Sequence, residues 1–203
     1  YYHICTDGTC VDWLFKDDSD FISAVNRIGV CIALHKDVIA LAYVLMDTHV
    51  HFVLYGTLPQ CKNFINTYKK LTGRWNSSKY GSEALLTNIP TKIIKITTED
   101  HLLRVLSYLD RNSIQSGFPF LPSEYKWGSA MYLFKEKRFE YVCKIGDLSF
   151  KQYRSILKTR IELPKQWLID KEGMINPRCF VSLDKVETLF KTPLRYLYFL
   201  SKK

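Results

Sequence analysis

The chain has 203 residues, of which 47% are hydrophobic, 14% aromatic and 24% charged, with a formal net charge of +9. This composition is typical of a globular protein and argues against disorder over most of the length. The length suffices for one large domain with or without an appendage. The positive excess favours a polyanionic partner, and the aromatic content suits single-stranded nucleic acid, although simple solubility is the ordinary alternative.

The cysteines form neither a metal-binding nor a disulfide pattern. The six of them include no C-x-x-C pair and none at zinc-finger spacing from a histidine. Several stand in apolar runs, as buried free thiols do. We therefore predict free thiols in a reducing, cytoplasmic compartment. No apolar run reaches transmembrane length, so we predict no membrane partner.

The first half of the chain alternates strand and helix patterns. Tyr1 to Thr6 is a predicted strand, and acidic capping residues from Asp17 precede apolar residues at helical spacing. After a hairpin, a second helix begins near Thr57, a strand covers Ile89 to Thr97, and a third helix runs from Glu99 to about Ser113. The order β-α-β-β-α-β-α predicts an α+β fold, an antiparallel sheet with helices on one face.

Two histidines stand at i and i+2 in the apolar segment from Leu41 to Tyr55. The segment predicts a hairpin that breaks near Asp47. Because side chains alternate along a strand, His49 and His51 are expected to leave the same face. Two imidazoles on a rigid sheet form half of a divalent-metal site; a chance pair of surface histidines is the alternative of equal weight.

The predicted second helix carries a basic face. Its positively charged residues are Lys62, Lys69, Lys70 and Arg74, and the last two are i, i+4 neighbours. A track that binds phosphates is one interpretation and an ordinary solvated face is the other. The segment from Asn76 to Gly81 is predicted to be a polar loop.

The helix from Glu99 has a polar stripe at spacings of three and four, formed by His101, Arg104, Tyr108, Arg111 and Asn112. A single tyrosine on a helix is usually a half-buried packing residue. The polar stripe around it favours a functional role instead. The amide of Asn112, one turn further, is placed to deliver an oxygen to a metal.

The pattern changes after Gly117. Residues Phe118 to Pro122 predict a rigid connector. Short helical patterns follow: Phe150 to Arg160, Pro164 to Lys171, Asp184 to Phe190 and Pro193 to Leu200. They predict a C-terminal helical extension that either adds a DNA-binding or dimerisation element or packs as a lid over the sheet.

Three segments between Tyr1 and about Leu133 follow one another along the chain in the same order as three motifs of a known family. The first is Ala42–Leu54 with both histidines, the second is Leu102–Asn112 with the tyrosine, and the third is Pro122–Ser129. Together they resemble the single-tyrosine HUH transposases, in particular the REP-associated tyrosine transposases and their insertion-sequence relatives. The chain departs from the family pattern where Ser113 replaces the usual proline.

The resemblance implies a catalytic core over residues 1–133 with an RRM-like or ferredoxin-like sheet, and a helical extension over residues 134–203. It implies a protein of the prokaryotic cytoplasm that acts on nucleoid DNA. The partner is single-stranded DNA that contains a hairpin. A homodimer in which two chains exchange the tyrosine helix is one of two arrangements left open.

The resemblance also implies the chemistry and the residues that carry it. One Mg²⁺ or Mn²⁺ is expected on His49, His51 and Asn112, with Tyr108 as the nucleophile that forms a 5′-phosphotyrosine before the strand is rejoined. This is metal-dependent DNA transposition by an endonuclease. The candidate DNA-binding residues are Lys69, Lys70, Arg74, Arg104 and Arg111.

Two other classes of protein compete with this interpretation. The first is a non-catalytic RRM-like module that binds nucleic acid and in which the histidines are vestigial. The second is a metal-dependent hydrolase that uses water and leaves no adduct between protein and DNA. A conservative substitution of Tyr108 distinguishes the three classes.

Overall fold

The fold is described from a computed structural model, which covers residues 1–81, 88–115, 121–135 and 141–202. Its main sheet has four strands: β1 (Tyr2–Thr6), β2 (Ile39–Leu45), β3 (Val50–Tyr55) and β4 (Thr91–Lys95). The strand order is β2-β3-β1-β4, and every neighbouring pair is antiparallel. Within the described residues, the three long helices are α1 (Asp18–Leu34), α2 (Leu58–Tyr80) and α3 (Glu99–Gln115). This is the βαββαβ arrangement of ferredoxin-like folds, so the predicted α+β class is confirmed.

Side-chain caps start the three long helices where the sequence predicts them. The carboxylate of Asp17 accepts a hydrogen bond from a first-turn amide of α1. Thr57 forms a capping box with Gln60 at the start of α2, and the hydroxyl of Thr98 accepts from the amide of His101 in α3. Each cap satisfies amide groups that have no partner within the helix.

The predicted polar loop from Asn76 to Gly81 is wrong, because α2 continues to Tyr80. Asn76 is fully buried, and its Nδ2 donates to the backbone oxygen of Leu14 at 3.3 Å. The helix ends at Gly81, which adopts the left-handed conformation with φ +67°. A tertiary contact and a C-terminal glycine, rather than local polarity, therefore decide the helix length.

Helices cover both sides of the main sheet. Phe52 in β3 packs its ring against Phe64 and Tyr68 of α2, with centroid distances of 5.6 and 5.1 Å. Its neighbour His51 faces Tyr108 of α3, with a centroid distance of 6.2 Å. Successive residues of a strand point to opposite faces. Therefore α3 covers part of the face that the sequence analysis left without a helix.

The C-terminal half adds a small two-stranded sheet and three short helices. Its strands are β5 (Cys143–Lys144) and β6 (Leu168–Ile169), and its helices are α4 (Phe150–Leu157), α5 (Leu183–Phe190) and α6 (Pro193–Ser201). The predicted helix from Pro164 to Lys171 is wrong, since this segment pairs with β5 instead. Residues 118–120 of the predicted connector lie outside the described residues.

This half packs directly on the core. The Asn26 side chain of α1 donates to the backbone oxygen of Gly173 at 2.9 Å and accepts from the amide of Ile175 at 2.7 Å. The Tyr196 hydroxyl of α6 donates to Asp110 of α3 at 2.8 Å. These buried contacts favour the packing interpretation of residues 134–203, while the domain boundary after residue 133 stays a prediction.

All six cysteines are free thiols, as predicted. Among the helices that the structure describes, none combines the length and the apolar character that crossing a bilayer requires.

Candidate metal and nucleophile site

Polar side chains gather on the sheet face that α3 covers. In the register of the sheet, Cys5 of β1 lies opposite His51 of β3 on one side and opposite Lys92 of β4 on the other. His3 precedes Cys5 by two residues, so strand alternation brings it to the same face. Three adjacent strands thus contribute to one patch.

Three of these side chains form a group that can hold a metal ion. His3, Cys5 and His51 each offer a ligand atom, and these atoms all lie within 4.8 Å of one another. The Nε2 atom of His3 and the Nδ1 atom of His51 are 3.0 Å apart and hydrogen-bonded. The two rings are nearly parallel, with an interplanar angle of 15° and a centroid distance of 5.3 Å. Their side chains are buried, with exposed fractions of 6% and 5%.

The second ring nitrogen of His51 is buried and unpaired. Within the described part of the chain, its Nε2 has no hydrogen-bond partner. A buried polar atom without a partner costs about 1–3 kcal/mol, so proteins seldom keep one without a use. Because one hydrogen bond joins the two imidazoles, the nitrogen that carries the shared proton fixes the tautomer of both.

Both buried imidazoles are neutral at physiological pH. Burial, with smaller contributions from the nearby His3 and His49, lowers the pKa of His51 to about 3. Burial likewise lowers the pKa of His3 to about 4, with a further contribution from the charge of Lys92. Neutral imidazoles keep a lone pair for a cation, as metal binding requires.

His49 lies in the turn just before β3. Its ring is 5.0 Å from that of His51, and its Nδ1 is 2.9 Å from the hydroxyl of Thr48. Burial lowers the pKa of His49. Gly8 packs behind this ring, where a Cβ atom would approach Nδ1 to 2.8 Å. The absence of a side chain at Gly8 therefore makes room for the imidazole.

Tyr108 lies over the histidines from α3. Its ring contacts those of His3 and His51 edge-on, with centroid distances of 6.0 and 6.2 Å. The tyrosine remains 40% exposed, so a ligand in solution can reach it. The structure therefore places His51 beside both Tyr108 and His49, with ring centroids 6.2 and 5.0 Å away.

Asn112 is buried one turn further along α3. Its Nδ2 donates to the backbone oxygens of Tyr108 at 3.1 Å and Leu109 at 3.0 Å. The hydrogen bonds that the structure gives it thus remain within its own helix. Its role as a third metal ligand stays a prediction from the resemblance.

The five predicted DNA-binding residues do not form one track. The Lys69 side chain is buried, and its Nζ donates to the backbone oxygen of Ile89 at 2.5 Å and to the hydroxyl of Thr91 at 3.1 Å. Burial also lowers the pKa of Lys69. This ammonium group joins α2 to the start of β4 and is not available to a phosphate.

The other four residues divide between two surfaces. Lys70 and Arg74 of α2 are exposed and line a groove of about 750 Å³ with Arg160. Arg104 and Arg111 are on α3, where Arg104 is exposed and pairs with Asp100 at 2.8 Å. The Arg111 Nε is buried and, among the described residues, has no hydrogen-bond partner. Only the α3 arginines share an element with Tyr108.

Sequence reasoning missed His3, Cys5 and Lys92. The first two alternate on a predicted strand, as His49 and His51 do, and this spacing was the available signal. Their value depends on β1 being the neighbour of β3, which a single sequence does not reveal. No protein-family model, curated protein or solved structure matches the chain. The HUH resemblance is therefore carried by the three sequence segments alone.

Proposed function

We propose that the chain cleaves and rejoins single-stranded DNA through a covalent bond between Tyr108 and a 5′ phosphate. The observation that supports this most is the position of a half-exposed phenol edge-on to buried His51, whose Nε2 is unpaired. The order of the three segments that resemble HUH transposases supports the same chemistry.

The residues fit a divalent cation at this position. His49 and His51 are close together, their pKa values are lowered by burial, and the Nε2 of His51 has no hydrogen-bond partner among the described residues. Nitrogen donors suit Mn²⁺ better than Mg²⁺, which prefers oxygen. When bound, such a cation neutralises negative charge on the phosphate oxygens. Asn112 is the proposed third ligand from the resemblance.

The reaction is a transfer of one phosphodiester bond to another. The Tyr108 hydroxyl gives up its proton to solvent or a nearby base, and its oxygen attacks the phosphorus. The bond from phosphorus to the 3′ oxygen breaks, and that oxygen takes up a proton as a free 3′-OH. The new phosphotyrosine ester retains the bond energy, so attack by a 3′-OH reverses the step without ATP.

Two exposed cations near Tyr108 are proposed to bind the DNA backbone. Arg104 is one turn before the tyrosine on α3, and Lys92 lies on β4 opposite Cys5. Both sit at the rim of the site rather than in its interior. Binding through such residues and the net charge of +9 is expected to weaken steeply with salt.

The test is a denaturing gel of the full chain with labelled single-stranded hairpin DNA and Mn²⁺. We expect labelled DNA that migrates with the protein, and no such band with Tyr108→Phe, which removes only the hydroxyl. The matched control is Tyr55→Phe, a tyrosine of similar exposure at the end of β3. His51→Gln should also lose the band.

Two other outcomes of this assay would assign the chain to a different class of protein. If Tyr108→Phe still cuts DNA and leaves a free 5′ phosphate, the nucleophile is water and the protein is a hydrolase. If the wild-type chain binds the DNA without cutting it in Mn²⁺ or Mg²⁺, the protein is a binding module. Either result overturns the proposal.

A further inference from the structure

We infer that His3, Cys5 and His51 bind a borderline-soft divalent cation of the zinc class between β1 and β3. The site lies on the sheet face that Tyr108 contacts, and its occupation does not depend on DNA cleavage. Its ligands differ from those that the HUH resemblance implies, because β1 supplies two of the three and Asn112 none. His51 belongs to both sets, so a cation occupies one set or the other.

The spacing of the two nitrogens suits a shared metal. The Nε2 of His3 and the Nδ1 of His51 are 3.0 Å apart. In a tetrahedral site with zinc–nitrogen bonds of about 2.0–2.1 Å, two nitrogen ligands are separated by roughly 3.3 Å. Separating the nitrogens by a few tenths of an ångström, tilting both rings so that their lone pairs converge, and moving the shared proton to the other nitrogen of its ring would replace the hydrogen bond with two bonds to a metal.

The sheet places the sulfur on the same side. Cys5 is the cross-strand partner of His51, and opposite residues in antiparallel strands have their Cβ atoms about 4.5–5.5 Å apart. All three ligand atoms lie within 4.8 Å of one another. The ligands belong to paired strands in the middle of the sheet, so little chain entropy remains to be lost on binding.

The donor set selects the class of metal. Two neutral imidazoles and a thiolate favour Zn²⁺, Co²⁺ or a similar d-block cation over Mg²⁺ and Ca²⁺, which require oxygen. Burial raises the pKa of the Cys5 thiol, while the charge of Lys92 opposes that shift. Binding must therefore release the thiol proton to solvent. Three protein ligands leave the fourth tetrahedral position for water or another oxygen ligand.

The experiment is a titration of the full, metal-free chain with Co²⁺ in the absence of DNA, followed by competition with Zn²⁺. We expect one equivalent to bind with a sulfur-to-cobalt charge-transfer band and the intense visible bands of tetrahedral cobalt. Cys5→Ser should abolish the charge-transfer band and weaken binding at least about tenfold. His3→Gln should weaken binding by a similar factor. Zn²⁺ should displace the cobalt.

Matched controls come from the same residue types elsewhere. Cys10→Ser changes an exposed cysteine just after β1, and His35→Gln changes a histidine that bonds to Thr67 at 2.9 Å. Neither should alter the spectrum or the affinity. Circular dichroism checks that each variant folds. If Cys5→Ser does not fold, the wild-type spectrum and His3→Gln decide the question, because only a thiolate gives the charge-transfer band.

Two results would overturn the inference. One is stoichiometric binding without the sulfur band. The other is binding that survives Cys5→Ser and His3→Gln but disappears with His49→Gln, which would assign the metal to a set of nitrogen and oxygen ligands. The gel assay with Tyr108→Phe is independent of both, so the failure of the zinc-class site and the failure of DNA cleavage are distinguishable.

Discussion

Buried polar groups on the two sides of the main sheet differ in whether their hydrogen-bonding atoms have partners. On the side of α1 and α2, the carboxylate of Asp20 is fully buried and accepts four hydrogen bonds of 2.7–2.9 Å from backbone and side-chain donors. These donors are the Lys16 amide, Trp75, Lys79 and Tyr80. On the side of α3, His51 is almost as deeply buried, yet its Nε2 has no partner among the described residues.

The contrast separates structural from functional polarity. Burial alone would raise the pKa of Asp20, but the hydrogen bonds from its four donors outweigh burial and hold the pKa below its usual value. Every interaction there joins α1 to α2 or fixes the start of α1. The imidazole of His51 instead keeps one ring nitrogen, Nε2, that has no hydrogen-bond partner among the described residues. Saturated groups stabilise the fold, and unsaturated ones provide sites for a ligand.

The largest effect is expected for Asp20→Ala. Removing a buried carboxylate leaves Lys79 and the other donors without their partner, and we expect a loss of about 3–5 kcal/mol in the free energy of unfolding. Urea denaturation measures it. The control Asp18→Ala, an exposed neighbour in the same turn, should change stability by less than about 0.5 kcal/mol. Equal losses in both variants would contradict the contrast between saturated and exposed carboxylates.

Asp110 is expected to make stability depend on pH. Burial raises its pKa from 3.8 to about 7, and the hydrogen bond from Tyr196 opposes that shift. Since the folded carboxyl group holds its proton more tightly, its contribution is complete below about pH 4 and is lost as pH rises towards 7. Relative to wild type, Asp110→Asn should therefore gain roughly 2–4 kcal/mol between these pH values.

Thermal or urea denaturation across this pH range measures the difference between wild type and Asp110→Asn. Taking that difference cancels the histidines, whose lowered pKa values make stability rise with pH. The control Asp184→Asn alters a carboxylate that is almost fully exposed and leaves the buried pair of Asp110 and Tyr196 intact. A flat difference for Asp110→Asn would mean that this carboxyl group is not protonated in the folded protein.

His51→Leu is expected to change stability little. The substitution removes an unpaired buried nitrogen, which is favourable, and breaks the hydrogen bond to His3, which is unfavourable, so the net change should stay within about 1 kcal/mol. The adjacent Phe52→Ala, on the α2 side, should cost about 3–5 kcal/mol. Chemical denaturation of both variants measures the contrast. A large loss for His51→Leu would make the imidazole pair a structural element.

The smallest effect on stability is expected for Arg104→Ala. Arg104 forms an exposed i, i+4 pair with Asp100, and such pairs contribute about 0.3–0.5 kcal/mol. The affinity of the Arg104→Ala variant for single-stranded DNA should fall. The slope of log affinity against log salt concentration should decrease by about the amount that one phosphate contact contributes. Fluorescence anisotropy at several salt concentrations measures both. Unchanged DNA affinity would remove Arg104 from the proposed interface.

Local patterns predicted much of the fold and half of the site. Alternation placed His49 and His51 on one face, and helical spacing placed Tyr108 on the exposed stripe of α3. The helix caps could be predicted because the side chains of Asp17 and Thr57 accept hydrogen bonds from amides within the next turn. These features depend on neighbours in sequence, so the sequence contains them.

Features that depend on contacts between distant segments could not be predicted from the sequence. Lys69 belongs to a basic stripe, yet it is buried against residues some twenty positions away. The end of α2 was misplaced because Asn76 is stabilised by Leu14, 62 residues earlier. Both errors came from treating polar side chains as solvated when a tertiary partner accepted or donated their hydrogen bonds.

The sequence by itself determined the α+β class and the order of the elements in the core. It also indicated a histidine pair as candidate metal ligands and a tyrosine as a candidate nucleophile. Only the tertiary structure decided that β1 lies between β3 and β4, which brings His3 and Cys5 beside His51. The physical reason is that alternation along a strand fixes the face of a side chain, whereas its neighbours across the sheet depend on strand order and register, which burial of the whole core selects.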